Sequence, residues 1–207
     1  MFTQYDTEKN EFITVEEPSP LLEYSYADYL KWRFEERVEL IKGKIMKMTA
    51  PNRKHQDVSR ELMHVITSFL KNRNCKAYSA PFDVRLPLTK KLTNEEIITV
   101  VQPDVCIICD TSKLDDKGCI GAPDLVVEIL SPGNSKKEIK LKYEVYEEAG
   151  VKEYLIINPV EENVAVLILS TSGKFDGAKL YATDDIIYSN AITGLAVNLS
   201  DIFQNNE

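Results

Sequence analysis

Two Pro-Asp pairs, Pro103-Asp104 and Pro123-Asp124, and a glutamate, Glu128, set inside the run Val126-Val127-Glu128-Ile129-Leu130, are the residues of this 207-residue chain best suited to chemistry. An ionised carboxylate in such an apolar run is costly unless a cation or a proton answers it. Asp124 and Glu128 make the tempting pair, but four residues along a strand span about 13 Å, whereas the ligands of one Mg²⁺ lie about 2.1 Å from the ion. Asp104 fits better. If the strands holding Asp104 and Glu128 are antiparallel neighbours joined through residues 111–123, a pairing centred on that loop sets Asp104 opposite Glu128 and Asp124 opposite Ile108. Facing carboxylates repel, so a divalent metal is the natural occupant between them. Plainer roles stand beside these: Asp104 as a turn residue after proline, Glu128 as half of a structural ion pair, and Asp124 as a strand-entry residue bonded to nearby backbone.

Four lysines follow Glu128: Lys136, Lys137, Lys140 and Lys142. Placed on a helix at about 100° per residue, Lys142 falls inside the apolar arc of Ile139, Tyr143, Tyr146 and Ala149. Lys137 and Lys140 fall outside it, and Lys136 sits at its margin. A lysine on the sheet-facing side wants an anion, and Glu128 lies just upstream. Its plainer role is to snorkel over the core. His55 lies on the apolar face of its own helix in the first turn, as a core or rim residue or in a phosphate-binding or site-supporting role. His64 lies off that face, toward solvent.

These residues need a scaffold, and the chain patterns one. The segment Val38-to-Met48 reads as two short strands joined at Lys42-Gly43, and it contains Glu39. His55, Val58, Leu62, Val65, Ile66 and Phe69 follow a helical face with Asn52 as N-cap. A shorter helix is expected from Ser25 to Glu36. Residues 77–88 and 100–109 are β-rich. Two apolar strands flank a helix over 135–149 that Gly150 stops, which makes a right-handed β-α-β unit with parallel strands. The predicted fold class is α/β, a mixed central β-sheet flanked by helices, built on an antiparallel hairpin plus that β-α-β unit. Residues 1–20, acidic and unpatterned, read as a mobile arm, and residues 21–207 as one domain.

Composition narrows the class. Without an apolar run near the roughly 18 residues of a membrane span, or the basic-then-apolar order of a signal peptide, the expectation is a soluble cytoplasmic protein. Cys75, Cys106, Cys109 and Cys119 lack the spacing of a disulfide framework. Cys106 and Cys109, three apart in a strand, point to opposite faces and read as core thiols rather than a zinc or redox pair. The net charge of −8 argues at first against nucleic acid. It is unevenly placed, however: residues 29–60 carry nine Lys or Arg against four acids. That segment is either an ordinary solvated surface or a basic rim beside a site.

The blocks ELIKGKI, QPDVCIICD and GAPDLVVEILSPGNSKKEIKLKYEVYEEAGVKEYLIINP resemble the Uma-type family of putative restriction endonucleases, within the PD-(D/E)XK nuclease superfamily. The likeness runs from about Tyr26 to Phe203. It implies a restriction-endonuclease-like fold, hydrolysis of DNA phosphodiester bonds with Mg²⁺ or Mn²⁺, and a homodimer. By the same resemblance the site is Glu39, Asp104, Glu128 and Lys142, with Asp104, Glu128 and Glu39 toward metal. In that family the lysine has left the position held here by Leu130 for the following helix. This chain departs mildly, with Gly133-Asn134 where a Ser-Thr-like pair is preferred and Glu138 where aspartate is usual. A catalytically idle descendant that binds nucleic acid or protein, and a different phosphodiester enzyme such as an RNase, are the competing readings.

Overall fold

A computed structural model describes residues 2–6, 9–14, 22–34, 36–87, 93–133 and 135–203. The chain opens with β1 (Phe2–Asp6), β2 (Glu11–Thr14), α1 (Tyr26–Tyr29) and β3 (Trp32–Phe34). The hairpin β4 (Val38–Ile41) and β5 (Lys44–Lys47) follows, and then the long helix α2 (Arg53–Leu70). Next come β6 (Lys76–Ser79), β7 (Val84–Arg85), β8 (Val100–Val101), β9 (Val105–Ile108), β10 (Leu114–Asp115), β11 (Gly118–Ile120) and β12 (Leu125–Ile129). The last part holds α3 (Lys136–Ala149), β13 (Glu153–Asn158), β14 (Asn163–Ile168), β15 (Lys179–Ala182), β16 (Ile186–Tyr188), β17 (Ala196–Asn198) and α4 (Leu199–Phe203).

Two six-stranded mixed sheets carry the site. One has the order β15-β14-β13-β12-β9-β6, with β12 and β13 parallel and the other neighbours antiparallel. The second has the order β10-β11-β7-β8-β4-β5. The expected α/β class holds, but the strands divide between two large sheets where one was predicted. Alternation along β9 and β12 explains how the first sheet is covered on both faces. Val105, Ile107, Leu125 and Val127 turn to the apolar face of α2, formed by Val58, Leu62, Ile66 and Leu70. Cys106, Ile108 and Val126 turn the other way, to Val145 and Tyr146 of α3 and to Val84 and Val101 of the second sheet.

Local signals set the ends of these elements. The Asn52 side chain accepts from the His55 N–H at 2.9 Å and starts α2 in its first turn. Ser135 caps α3, and Gly150 ends it at φ 84°, a left-handed conformation that glycine adopts without strain. The β4–β5 turn uses positive φ at both Lys42 and Gly43.

Further expectations are corrected. The helix predicted to reach Glu36 stops after Tyr29, because Trp32, Arg33 and Phe34 pair with β1 as a strand. Cys75 and Cys109 form a disulfide, whereas Cys106 and Cys119 are buried thiols as expected. The connection through 111–123 is not a plain loop, since it folds into a turn of 3-10 helix and the β10–β11 hairpin. The acidic segment read as an arm contains β1 and β2, and its residues 1, 7, 8 and 15–20 lie outside those described. Among the described residues no helix is long and apolar enough to cross a membrane.

Candidate active site

The β9–β12 register pairs Val127 with Val105, Val126 with Cys106 and Leu125 with Ile107. Continued by one step, it sets Glu128 beside Asp104, and at the other end Asp124 beside Ile108. This is the pairing inferred from the spacing of the sequence. Glu128 shares the face of Val126, so its side chain enters the layer under α3. There Lys142 Nζ donates to Glu128 Oε1 at 2.8 Å and lies 3.0 Å from Glu39 Oε1. Tyr146, one turn further along α3, donates its hydroxyl to the same Glu128 oxygen at 2.5 Å. Glu39 comes from β4 of the second sheet, and its Oε1 also accepts the Gln102 N–H at 2.7 Å. Lys142 therefore spans the two sheets, and Glu39, Glu128 and Lys142 are all buried.

Asp104 sits at the bend before β9. Its Oδ2 accepts the Ile129 N–H at 2.8 Å and lies 3.1 Å from His55 Nε2. The supporting role of His55 is the one the geometry favours, while His64 is exposed as expected. His55 Nδ1 is buried and has no hydrogen-bond partner. Asp124 keeps its structural role: it accepts the Cys109 N–H at 2.7 Å and pairs with Lys152 at 2.6 Å.

Electrostatics at this cluster are dominated by crowded anions. Burial pushes the Glu128 carboxyl up to about 8; Lys142 opposes the rise, and Asp104 and Glu39 add to it. For Lys142, burial works to lower the ammonium pKa, but Glu128 and Glu39 outweigh it and the net direction is upward. Burial first, and then Glu128, hold the Tyr146 hydroxyl well above its ordinary range. Three carboxyl groups and one ammonium thus share the cluster, and the proton that burial favours on Glu128 is one a divalent cation would replace.

The donor set fits such a cation. Asp104 Oδ1 and Glu128 Oε2 have no hydrogen-bond partner among the described residues, whereas the second oxygen of each is engaged. Among the described residues no three His, Cys, Asp or Glu side chains converge closely enough to share an ion, so Glu39 is not brought to the same point. The remaining positions would fall to backbone carbonyls and water, which Mg²⁺ accepts readily.

All of this opens on a cleft of about 170 Å³ whose walls include Arg37, His55, Asp104, Glu128, Lys142 and Tyr154. The basic segment 29–60 does contribute to it, but not as a broad rim. Lys31, Lys42, Lys47, Arg53 and Arg60 are spent on surface carboxylates. Sequence reasoning passed over Arg37, Gln102 and Tyr146 as site residues. Arg37 stands two residues before Glu39, Gln102 two before Asp104, and Tyr146 four after Lys142, spacings that share a face in a strand or a helix.

Comparisons with known proteins bear on the family and the fold. Residues 26–200 match the model of the Uma2 family, described as putative restriction endonucleases. An uncharacterised protein of Synechocystis sp. is 27% identical over 169 residues, covering 81% of this chain and 78% of its own. The crystal structure of a putative nuclease of the DUF820 group from Anabaena variabilis superposes with a TM-score of 0.70 at 21% identity. That match covers 87% of this chain and 98% of the other, and it shows that the fold is shared. With the family model spanning most of the chain, including Glu39, Asp104, Glu128 and Lys142, this protein belongs to the Uma2 family.

Proposed function

We propose that this chain is a divalent-metal-dependent endonuclease that hydrolyses DNA phosphodiester bonds in the cleft between its two sheets, with Mg²⁺ or Mn²⁺ as the ion. The observation that carries the reading is the facing pair Asp104 and Glu128, each with one unpartnered oxygen, beside a buried lysine. These two carboxylates would hold the metal. When bound, a divalent ion supplies Lewis-acid polarisation of the phosphate and acidifies a water molecule.

The chain's own groups do the rest. His55 and the Ile129 N–H fix Asp104 Oδ2 and leave Oδ1 to the cleft. Lys142, kept protonated by Glu39 and Glu128, places a positive charge where negative charge develops on the phosphate oxygens, and it can orient the attacking water. Glu39 acts through Lys142 and balances its charge. Tyr146 and Lys142 together hold Glu128 Oε1, which leaves Oε2 as the oxygen that would take an ion. A homodimer, the state the resemblance implies, belongs to the same reading.

The test is nicking of supercoiled plasmid by the purified chain with Mn²⁺, beside an RNA substrate of equal length. Glu128→Gln and Lys142→Met are each expected to lower the rate by roughly a hundredfold or more, the scale of losing one preorganised charged group. Cleavage that survives both substitutions would sink the assignment. Absence of both cleavage and calorimetric Mn²⁺ binding in the wild type would favour the idle descendant, and preferential RNA cleavage would move the substrate class.

A further inference from the structure

Within the cleft described above, Arg37 and Lys142 are the two Lys or Arg side chains among the described lining residues. The charge of Lys142 is paired with Glu39 and Glu128. Arg37 is different. Its Nε and Nη2 donate to Gln102 Oε1 at 3.1 and 2.8 Å, a neutral acceptor, and the Asp83 carboxylate acts on the guanidinium only at a distance, without an ion pair. Among the described residues no carboxylate oxygen stands within 4.0 Å of it, while neighbouring cations of the same segment are paired.

Gln102 is locked in the orientation this needs. Its Nε2 donates to Asp83 Oδ1 at 2.8 Å and to the Tyr29 hydroxyl at 3.2 Å, so Oε1 must face Arg37. Its backbone N–H meanwhile holds Glu39, the residue that balances Lys142. Arg37 and Glu39, two apart along the chain, are therefore both fastened to one buried glutamine. Two of the five guanidinium N–H groups are used in this fastening, and three remain on an exposed side chain at the mouth of the cleft. A planar cationic fork with free donors matches the paired oxygens of a phosphodiester.

We propose that Arg37 is a phosphate-binding residue of this cleft, gripping a nucleic-acid backbone phosphate beside the one at Asp104 and Glu128, and that Gln102 is its positioning residue. The proposal rests on reading the cleft as a nuclease site. It makes Arg37 a determinant of substrate affinity more than of the chemical step. An ammonium at this position would keep the charge but lose the fork.

The experiment uses the full chain and a short fluorescein-labelled DNA duplex, with Ca²⁺ for equilibrium anisotropy over a series of KCl concentrations and Mn²⁺ for steady-state nicking. Arg37→Gln is expected to raise Kd and KM roughly tenfold or more, to change kcat by less, and to reduce the slope of log Kd against log[KCl] by about one. Arg37→Lys should keep the wild-type slope and recover only part of the affinity. Calorimetric Mn²⁺ binding and the thermal midpoint should match wild type in both variants. An Arg37→Gln chain with unchanged Kd, KM and salt slope, in a protein whose wild type nicks DNA, overturns the proposal and leaves the nuclease reading standing. A wild type that shows Arg37-dependent DNA binding but no metal-dependent cleavage does the reverse.

Discussion

Lys142 lies between Glu39 and Glu128 with all three side chains removed from water, so its charge cannot be deleted alone. Lys142→Met is expected to destabilise the fold by about 3–5 kcal/mol, because buried Glu39 loses its counter-charge and buried Glu128 loses a hydrogen-bond donor. Urea unfolding near neutral pH measures it, and the Glu39→Gln/Lys142→Met double variant should regain part of the loss; a single variant as stable as wild type would refute the buried triad. Proton linkage gives a second expectation. The ordinary carboxyl value is 4.5 and burial raises that of Glu128 to about 8, so the fold retains a proton that the unfolded chain would release. That contribution is fully present below 4.5 and is lost as pH rises through about 8. A metal at Glu128 competes with this proton, so Mn²⁺ affinity should climb as pH rises toward about 8 and level off above it; a flat calorimetric profile across that range would count against Glu128 as a ligand. At this scale Asp104, Glu128 and Lys142 were legible because strand and helix periods are local rules. Arg37 and Gln102 were not, since their contact joins residues 65 apart and no local rule pairs them.

The elements that aim these side chains were legible where a cap or a turn residue marks them. Asn52, Lys42-Gly43 and Gly150 each have a local physical role, and α2, the β4–β5 hairpin and the β12-α3-β13 unit follow. The errors fell where a remote partner decides. Residues 32–34 become a strand because β1 is beside them, a fact that no window around Trp32 contains, although their aromatic side chains favour strand. The α2 cap also reaches the site, for the N–H that Asn52 satisfies belongs to His55, whose ring supports Asp104. Asn52→Ala should cost about 1 kcal/mol of stability and weaken Mn²⁺ binding in the same variant, whereas Asn52→Asp should retain both. Thermal unfolding and calorimetry on the two variants separate a capping effect from a merely exposed asparagine.

Viewed whole, the cluster lies where the two six-stranded mixed sheets of the molecule meet. The acidic net charge, which first argued against nucleic acid, is met in the cleft by Arg37 and Lys142 set among Asp104, Glu128 and Glu138, a lining that a bound divalent cation would turn toward the positive charge a phosphate needs. The division into two sheets was hidden in the sequence, since strands as short as β7 and β8, two residues each, have too few positions to show a period. That division has a consequence for cooperativity. Glu39 lies on β4 and Gln102 directly follows β8, Glu128 lies on β12 and Asp104 just precedes β9, and Lys142 fastens one side to the other. Opening either sheet must break the same ammonium contacts, so the two should exchange their backbone amide hydrogens as one unit. An ion held by Asp104 and Glu128 should then slow deuterium uptake in β4 and β8 as well as in β9 and β12, although β4 and β8 donate no ligand to it.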